Sequence, residues 1–148
     1  MMNKAIPNRE EYFEFYPITT RWMDNDVFGH VNNVVYYSYY DTVINRFLAE
    51  HCGLNLQTSD VAAYIVHSEC IYHSSISYPD DIEGGFVVNK VGNSSVEYGV
   101  SVFKTGSNSA SAHGSMTHVF VDKKSGKPVP IPENIRAVFL NAARSKKQ

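Results

Sequence analysis

From Asn33 to Cys52, apolar residues recur every fourth position in two adjacent rows: Val35, Tyr39, Val43 and Phe47 beside Tyr36, Tyr40, Ile44 and Leu48. That period is helical. The polar arc left over, Ser38, Asp41, Thr42 and Asn45, is narrow. A helix this apolar is expected to be buried in the domain rather than laid on its surface. Asn32 or Asn33 suits its amino-terminal cap, and Gly53 suits the left-handed residue just past its end. Such a helix would run ~28 Å.

Elsewhere the period is two. Tyr12–Trp22 is rich in aromatic and β-branched residues and predicts a strand, with Pro17 marking an edge position or a bulge. Met23–His30, which holds Asp24, Asn25, Asp26 and Gly29, predicts a turn. Val61–Tyr78, Ile82–Val91, Ser95–Lys104 and Ser109–Val121 are strand candidates separated by short turn signals. Along Ser95–Lys104, Val96, Tyr98, Val100 and Val102 alternate with Glu97, Gly99 and Ser101. Pro132-Glu133 opens a short terminal helix through Ala143. A strand, a buried helix and four more strands joined by short turns predict an α+β domain, in which one antiparallel five-stranded sheet curls around the helix.

At 148 residues, one domain spanning 1–148 is expected, with 1–11 and 144–148 fraying. The basic tail Arg144, Lys146 and Lys147 reads as a solvated terminus. Hydrophobic residues at 43% and charged residues at 19% fit a globular protein, and 10 Tyr and 8 Phe mean that large rings build much of its core. A net charge of -2 offers no excess of cation to displace counterions, which argues against a nucleic-acid partner. Cys52 and Cys70 are too few for a disulfide scaffold and are expected to be reduced. With no secretory signal and no long apolar run, no membrane partner and a cytoplasmic location are expected.

The chemistry concentrates in Arg21–Asn33. Two carboxylates (Asp24, Asp26), one imidazole (His30) and a glycine stand in a turn that runs into the helix start. A carboxylate beside a helix amino end can act as base or nucleophile, and the open amides there can stabilise an oxyanion. Equally, Asp24 and Asp26 can bond turn amides while Asn32 or Asn33 caps the helix. No serine-hydrolase elbow, phosphate loop or dinucleotide fingerprint occurs. His67, His73, His113 and His118 lack metal-ligand spacing and read as ordinary strand residues; neither metal nor cofactor is expected.

The string Asp26-x-x-Gly29-His30-Val31-Asn32-Asn33-x-x-Tyr36, after a strand ending Arg21-Trp22, resembles the signature of hot-dog-fold acyl-thioesterases. The likeness is to the 4-hydroxybenzoyl-CoA thioesterase-like group, with the His-Val-Asn-Asn run also similar to plant acyl-ACP thioesterases. It continues in Tyr78-Pro79-Asp80-Asp81, Gly92-Asn93-Ser94-Ser95 and His118–Asp122. The resemblance implies hydrolysis of an acyl thioester, acyl-CoA or acyl-ACP, to free acid and thiol. By it, Asp26 is the catalytic carboxylate, the Asn33 amide polarises the carbonyl, and His30 matches a histidine with a catalytic role in the plant-type motif. Asn32, Tyr36 and Ser95 fall to substrate and coenzyme A binding. Relatives place arginines where this chain has Gly92 and Asn93. A homo-oligomer, a dimer or a dimer of dimers, is also implied, as is the alternative of a non-catalytic acyl-binding protein on the same fold.

Overall fold

The computed structural model describes residues 5–55 and 57–143. In chain order its elements are β1 (Glu14–Thr19), α1 (Asn33–His51), β2 (Val61–Tyr72), β3 (Asp81–Val91), β4 (Ser95–Lys104), β5 (Ala112–Asp122) and α2 (Glu133–Asn141), with short 3-10 turns at Arg9–Glu11 and Trp22–Asp24. The five strands form one antiparallel sheet in the order β1-β3-β4-β5-β2. The architecture expected from the sequence, down to the short terminal helix, is present.

The Asn32 side chain caps α1 by accepting from the Val34 amide, and Gly53 follows its end with φ 61. Its buried residues fall in pairs one turn apart, Tyr39/Tyr40, Val43/Ile44 and Phe47/Leu48, with Tyr36 ahead of them. These pack against the sheet, where Phe47 stacks on Phe86 at 4.1 Å and Val96, Tyr98, Val100 and Val102 of β4 are buried. The helix is covered on one side. Val34, Asp41, Thr42, Asn45, Arg46 and Ala49 are exposed, so the outward arc is wider than the sequence pattern suggested.

Two expectations are corrected. Residues 7–11, expected to fray, are tied down: the Ala110 amide donates to the Pro7 carbonyl, Asn8 bridges Ser109, and Arg9 pairs with Glu83 at 2.7 Å. The Arg9 guanidinium lies 5.0 and 4.9 Å over the Phe15 and Phe103 rings. This segment roofs the outer face of the sheet, which is why Gly99, Ser101 and Phe103 of β4 are buried along with the inward-facing set. The strand expected over Val61–Tyr78 stops at Tyr72. Its partner β5 begins at Ala112, opposite Tyr72, and the Ser111 carbonyl takes the amides of both His73 and Ser74, so nothing remains for 73–78 to pair with.

Pro17 sits on an edge strand, as expected, and the other edge is β2. There Tyr64, Ile65 and Val66 are 51, 40 and 60% exposed. Both cysteines are free, and burial pushes the Cys52 thiol up to about 11. The basic tail lies outside the described residues.

Candidate active site

The turn between β1 and α1 is held by bonds that leave its functional groups outward. Asp24 is buried and does the internal work. Its carboxylate accepts from the Arg21 amide (2.9 Å), from the Arg21 guanidinium (2.9 and 3.1 Å) and from the Tyr39 hydroxyl (2.7 Å). Burial by itself would raise its pKa; the bonds from Tyr39 and Arg21 outweigh burial and hold the carboxyl below its usual value. The Asp24 carbonyl takes the Asn32 amide, the Asn25 side chain takes the Tyr78 amide, and the Val31 amide donates to Ile76. The loop is thus fastened at both ends.

Between those fastenings, Asp26 starts a tight turn. Its Oδ1 accepts from the Phe28 amide at 2.9 Å, its carbonyl accepts from Gly29, and its amide donates to the His30 carbonyl at 2.9 Å. Gly29 has φ 85, a conformation that L side chains rarely adopt, and it returns the chain toward α1. Val27 and Phe28 at the tip are 93 and 81% exposed. Asn33, just inside the helix, carries one of the first-turn amides that have no intrahelical partner. The positive end of the helix dipole reinforces those amides.

Beside the turn lies a cavity of about 260 Å³ lined by His30, Val31, Asn33, Tyr36, Tyr72, His73, Ser74 and Ser75. Three of the six residues singled out in the sequence, His30, Asn33 and Tyr36, therefore meet at one cavity. Asn32 caps the helix beside them. Asp26 belongs to the same turn but does not line the cavity of the single chain. Ser95 is at the other end of the sheet: it opens β4, whose far end Lys104 pairs with Ile82, next to Asp81 and Thr19 and hence near the Asp26 turn. A ten-residue strand, roughly 30 Å, separates the two.

Sequence reasoning missed part of the lining. Reading a strand through Tyr78 hid Tyr72, His73, Ser74 and Ser75. The Tyr72 hydroxyl donates to the Asn33 carbonyl at 3.2 Å. His73 Nε2 lies 2.9 Å from His113 Nδ1 in coplanar, edge-to-edge rings. The turn at Ser95 also carries a cation that its local sequence lacks. Arg136 of α2 donates to the carbonyls of Gly92 and Asn93 at 2.8 and 3.0 Å.

A family model, the thioesterase-like superfamily, matches residues 20–139. The crystal structure of the PA5185 protein from Pseudomonas aeruginosa strain PAO1 is similar with a TM-score of 0.93 and 43% identity, covering 97% of this chain and all of that one, 100%. Slr0204, a 1,4-dihydroxy-2-naphthoyl-CoA thioesterase from Synechocystis, is similar with a TM-score of 0.78 and 16% identity over 86% of this chain and 95% of its own. A DHNA-CoA thioesterase from Staphylococcus aureus has a TM-score of 0.77 and 15% identity over 86 and 88%. At these last two identities the likeness is one of fold. No curated protein matches the chain.

Proposed function

The chain belongs to the thioesterase-like superfamily, and from that premise we propose that it hydrolyses an acyl thioester, with coenzyme A as the thiol and Asp26 as the reacting carboxylate. The observation that carries the proposal is the position of Asp26, in a turn that runs directly into the first turn of α1, where the Asn33 amide is left open, beside a ring- and hydroxyl-lined cavity. In the reaction, Asp26 attacks the thioester carbonyl or takes a proton from the water that does. The Asn33 amide receives the developing oxyanion. His30, which lines the cavity, orients the acyl carbonyl or the water. With Asp26 as base, water adds its hydroxyl to the acyl carbon and the carbon–sulfur bond breaks. With Asp26 as nucleophile, its attack expels the thiolate, and water then hydrolyses the mixed anhydride to restore the carboxylate. On either route the proton passes to the thiolate, leaving acid and thiol.

The cavity favours an acyl group with polar edges. Ser74 and Ser75, both exposed, bring hydroxyls to its lining that a long alkyl chain would strip of water without replacement, and Tyr36 and Tyr72 add ring surface. The two similar thioesterases named above act on an aryl-CoA by their descriptions, in keeping with an aromatic acyl group here. Ser95, a strand's length away, serves the distal part of the coenzyme.

Asp26 lies outside the cavity of the single chain, so the complete site needs a second copy. The exposed β2 edge, with Tyr64, Ile65 and Val66, and the exposed Val27, Phe28 and Val34 around the turn supply an apolar surface for it. A homodimer joined along β2 would bring the partner chain against the turn that holds Asp26.

A panel of short, long and aryl acyl-CoA substrates, read by release of free thiol, tests the function. Turnover highest on an aryl-CoA supports it. Binding of acyl-CoA with no thiol release on any substrate would mark the chain as an acyl-binding protein instead.

A further inference from the structure

The last residue of β2 and the first of β5 face each other, Tyr72 opposite Ala112, and beside that pair two imidazoles meet. The His73 amide donates to the Ser111 carbonyl at 2.8 Å, so His73 carries the register one step beyond the sheet. His113 lies two positions along from Ser111. It is the diagonal neighbour of His73 on the same face, within reach of long side chains. His73 Nε2 is 2.9 Å from His113 Nδ1, the ring planes are 3° from parallel and the centroids are 5.0 Å apart. The bond therefore lies in the shared plane of both rings, with one proton between the two nitrogens.

The two rings, both half-buried, serve different places. His73 lines the cavity beside the Asp26 turn, next to Tyr72, Ser74 and Ser75. His113 does not line it. It lines instead a second cavity, of about 270 Å³, with Tyr12, Glu69, Glu97 and Ser115. Residues 73–75 have left the sheet, and the start of β5 holds them from two sides. The Ser111 carbonyl takes the amides of His73 and Ser74, and the His73 ring is tied to His113. Without the His113 imidazole, His73 would keep its main-chain bond alone.

We propose that His73 is a specificity-determining residue of the acyl cavity and that His113, from outside the cavity, is the positioning residue that sets its ring. This rests on the thioesterase reading above, in which the cavity takes the acyl group. The pairing engages His73 at Nε2 and leaves Nδ1 as the nitrogen it has for a ligand. It also couples the tautomers of the two rings. When His73 Nε2–H donates to His113, Nδ1 of His73 is an acceptor; when His113 Nδ1–H donates, the neutral His73 ring carries its proton at Nδ1. An acyl group that fills the cavity meets this wall. Asp26 and the Asn33 amide stand on the turn and helix start opposite, so the wall bears on binding and selectivity rather than on the chemical step.

The test reads thiol release from benzoyl-CoA and, by calorimetry, binding of S-phenacyl-CoA, a thioether that cannot be hydrolysed. His113→Leu keeps apolar bulk and removes the bond. It should raise KM for benzoyl-CoA and weaken S-phenacyl-CoA binding by ~3- to 10-fold, the worth of one hydrogen bond, with kcat little changed. His113→Asn puts an amide where Nδ1 stood and should recover most of the loss. Circular dichroism checks that each variant is folded. Nitrogen-15 spectra of the wild type need no variant: the ring signals of both His73 and His113 should move on saturation with S-phenacyl-CoA. A folded His113→Leu with wild-type KM and binding, an equal loss in the Leu and Asn variants, or ring signals that stay in place would overturn the proposal, while wild-type turnover keeps the thioesterase reading. A wild type that neither releases thiol from any acyl-CoA nor binds S-phenacyl-CoA would remove that reading and the proposal with it.

Discussion

Asp26 and His30 are joined through the main chain: the Asp26 amide donates to the His30 carbonyl at 2.9 Å, which closes a five-residue turn around Gly29. The two side chains are therefore carried on one rigid loop whose ends are fastened by Asp24 to Asn32 and by Val31 to Ile76. A substitution that loosens this loop moves the carboxylate and the imidazole together. That makes the neighbouring carboxylate, Asp24, the natural control for Asp26.

Asp24→Asn is expected to act on stability. It removes the charge that accepts from Arg21 and Tyr39, yet keeps one acceptor oxygen in a buried position. Denaturant titration should show a loss of ~1–3 kcal/mol, the range for disrupting a buried polar bond. Turnover of the protein that remains folded should stay near wild type.

Stability should fall as acid is added, well before the bulk of the carboxylates titrate. His118 is buried, its Nδ1 is 2.8 Å from the Tyr98 hydroxyl, and burial lowers its pKa to about 4 from an ordinary 6.5. The unfolded chain takes up a proton in that interval which the folded protein refuses. The contribution is therefore whole above pH 6.5 and is lost as pH falls toward 4, on the order of 3 kcal/mol. Asp24, with its lowered pKa, contributes stability above the ordinary carboxylate range that is lost below it. Urea midpoints at pH 7.5 and 4.5 measure this. His118→Gln should flatten the slope, and equal wild-type midpoints would contradict it.

Phe47→Ala should be a stability variant, not a specificity variant. The ring is fully buried, stacks on Phe86 at 4.1 Å and does not line the cavity at the helix start. A loss of ~3–5 kcal/mol is expected for removing a buried Phe. The ranking of substrates by the folded fraction should not change.

The β2 edge is expected to be covered in solution. Light scattering at micromolar concentration should give a dimer or a multiple of one. Val66→Lys, a charge placed on the exposed edge, should shift the mass toward a monomer and take turnover down with it. A wild-type monomer that turns over substrate would contradict the two-copy site.

The helix, its cap, the succession of strands along the chain and the turn before the helix were legible because each rests on a local signal: period, capping residue or breaker. Asn33–Cys52 was expected and Asn33–His51 was found. The end of β2 was not legible. Residues 71–78, Ile-Tyr-His-Ser-Ser-Ile-Ser-Tyr, look extended, and only the distant start of β5 decides that pairing ends at Tyr72. That error hid half of the cavity lining, including Tyr72 and His73. The docking of Arg9 onto Phe15 and Phe103 depends on contacts across the fold that no window of sequence contains. The pairing of Glu14 with His51, 37 positions apart, lies outside any window of sequence for the same reason.

The most direct measurement of the central claim is single-turnover and steady-state thiol release by Asp26→Asn on the best substrate of the acyl-CoA panel. Asn keeps the shape of the side chain and can still accept from the Phe28 amide, so the turn is retained. It is neither a base nor an effective nucleophile. A folded, oligomeric Asp26→Asn should bind the substrate with little change while kcat falls at least ~10²-fold. The same variant turning over at close to the wild-type rate would mean that Asp26 only shapes the turn, and would remove it from the reaction.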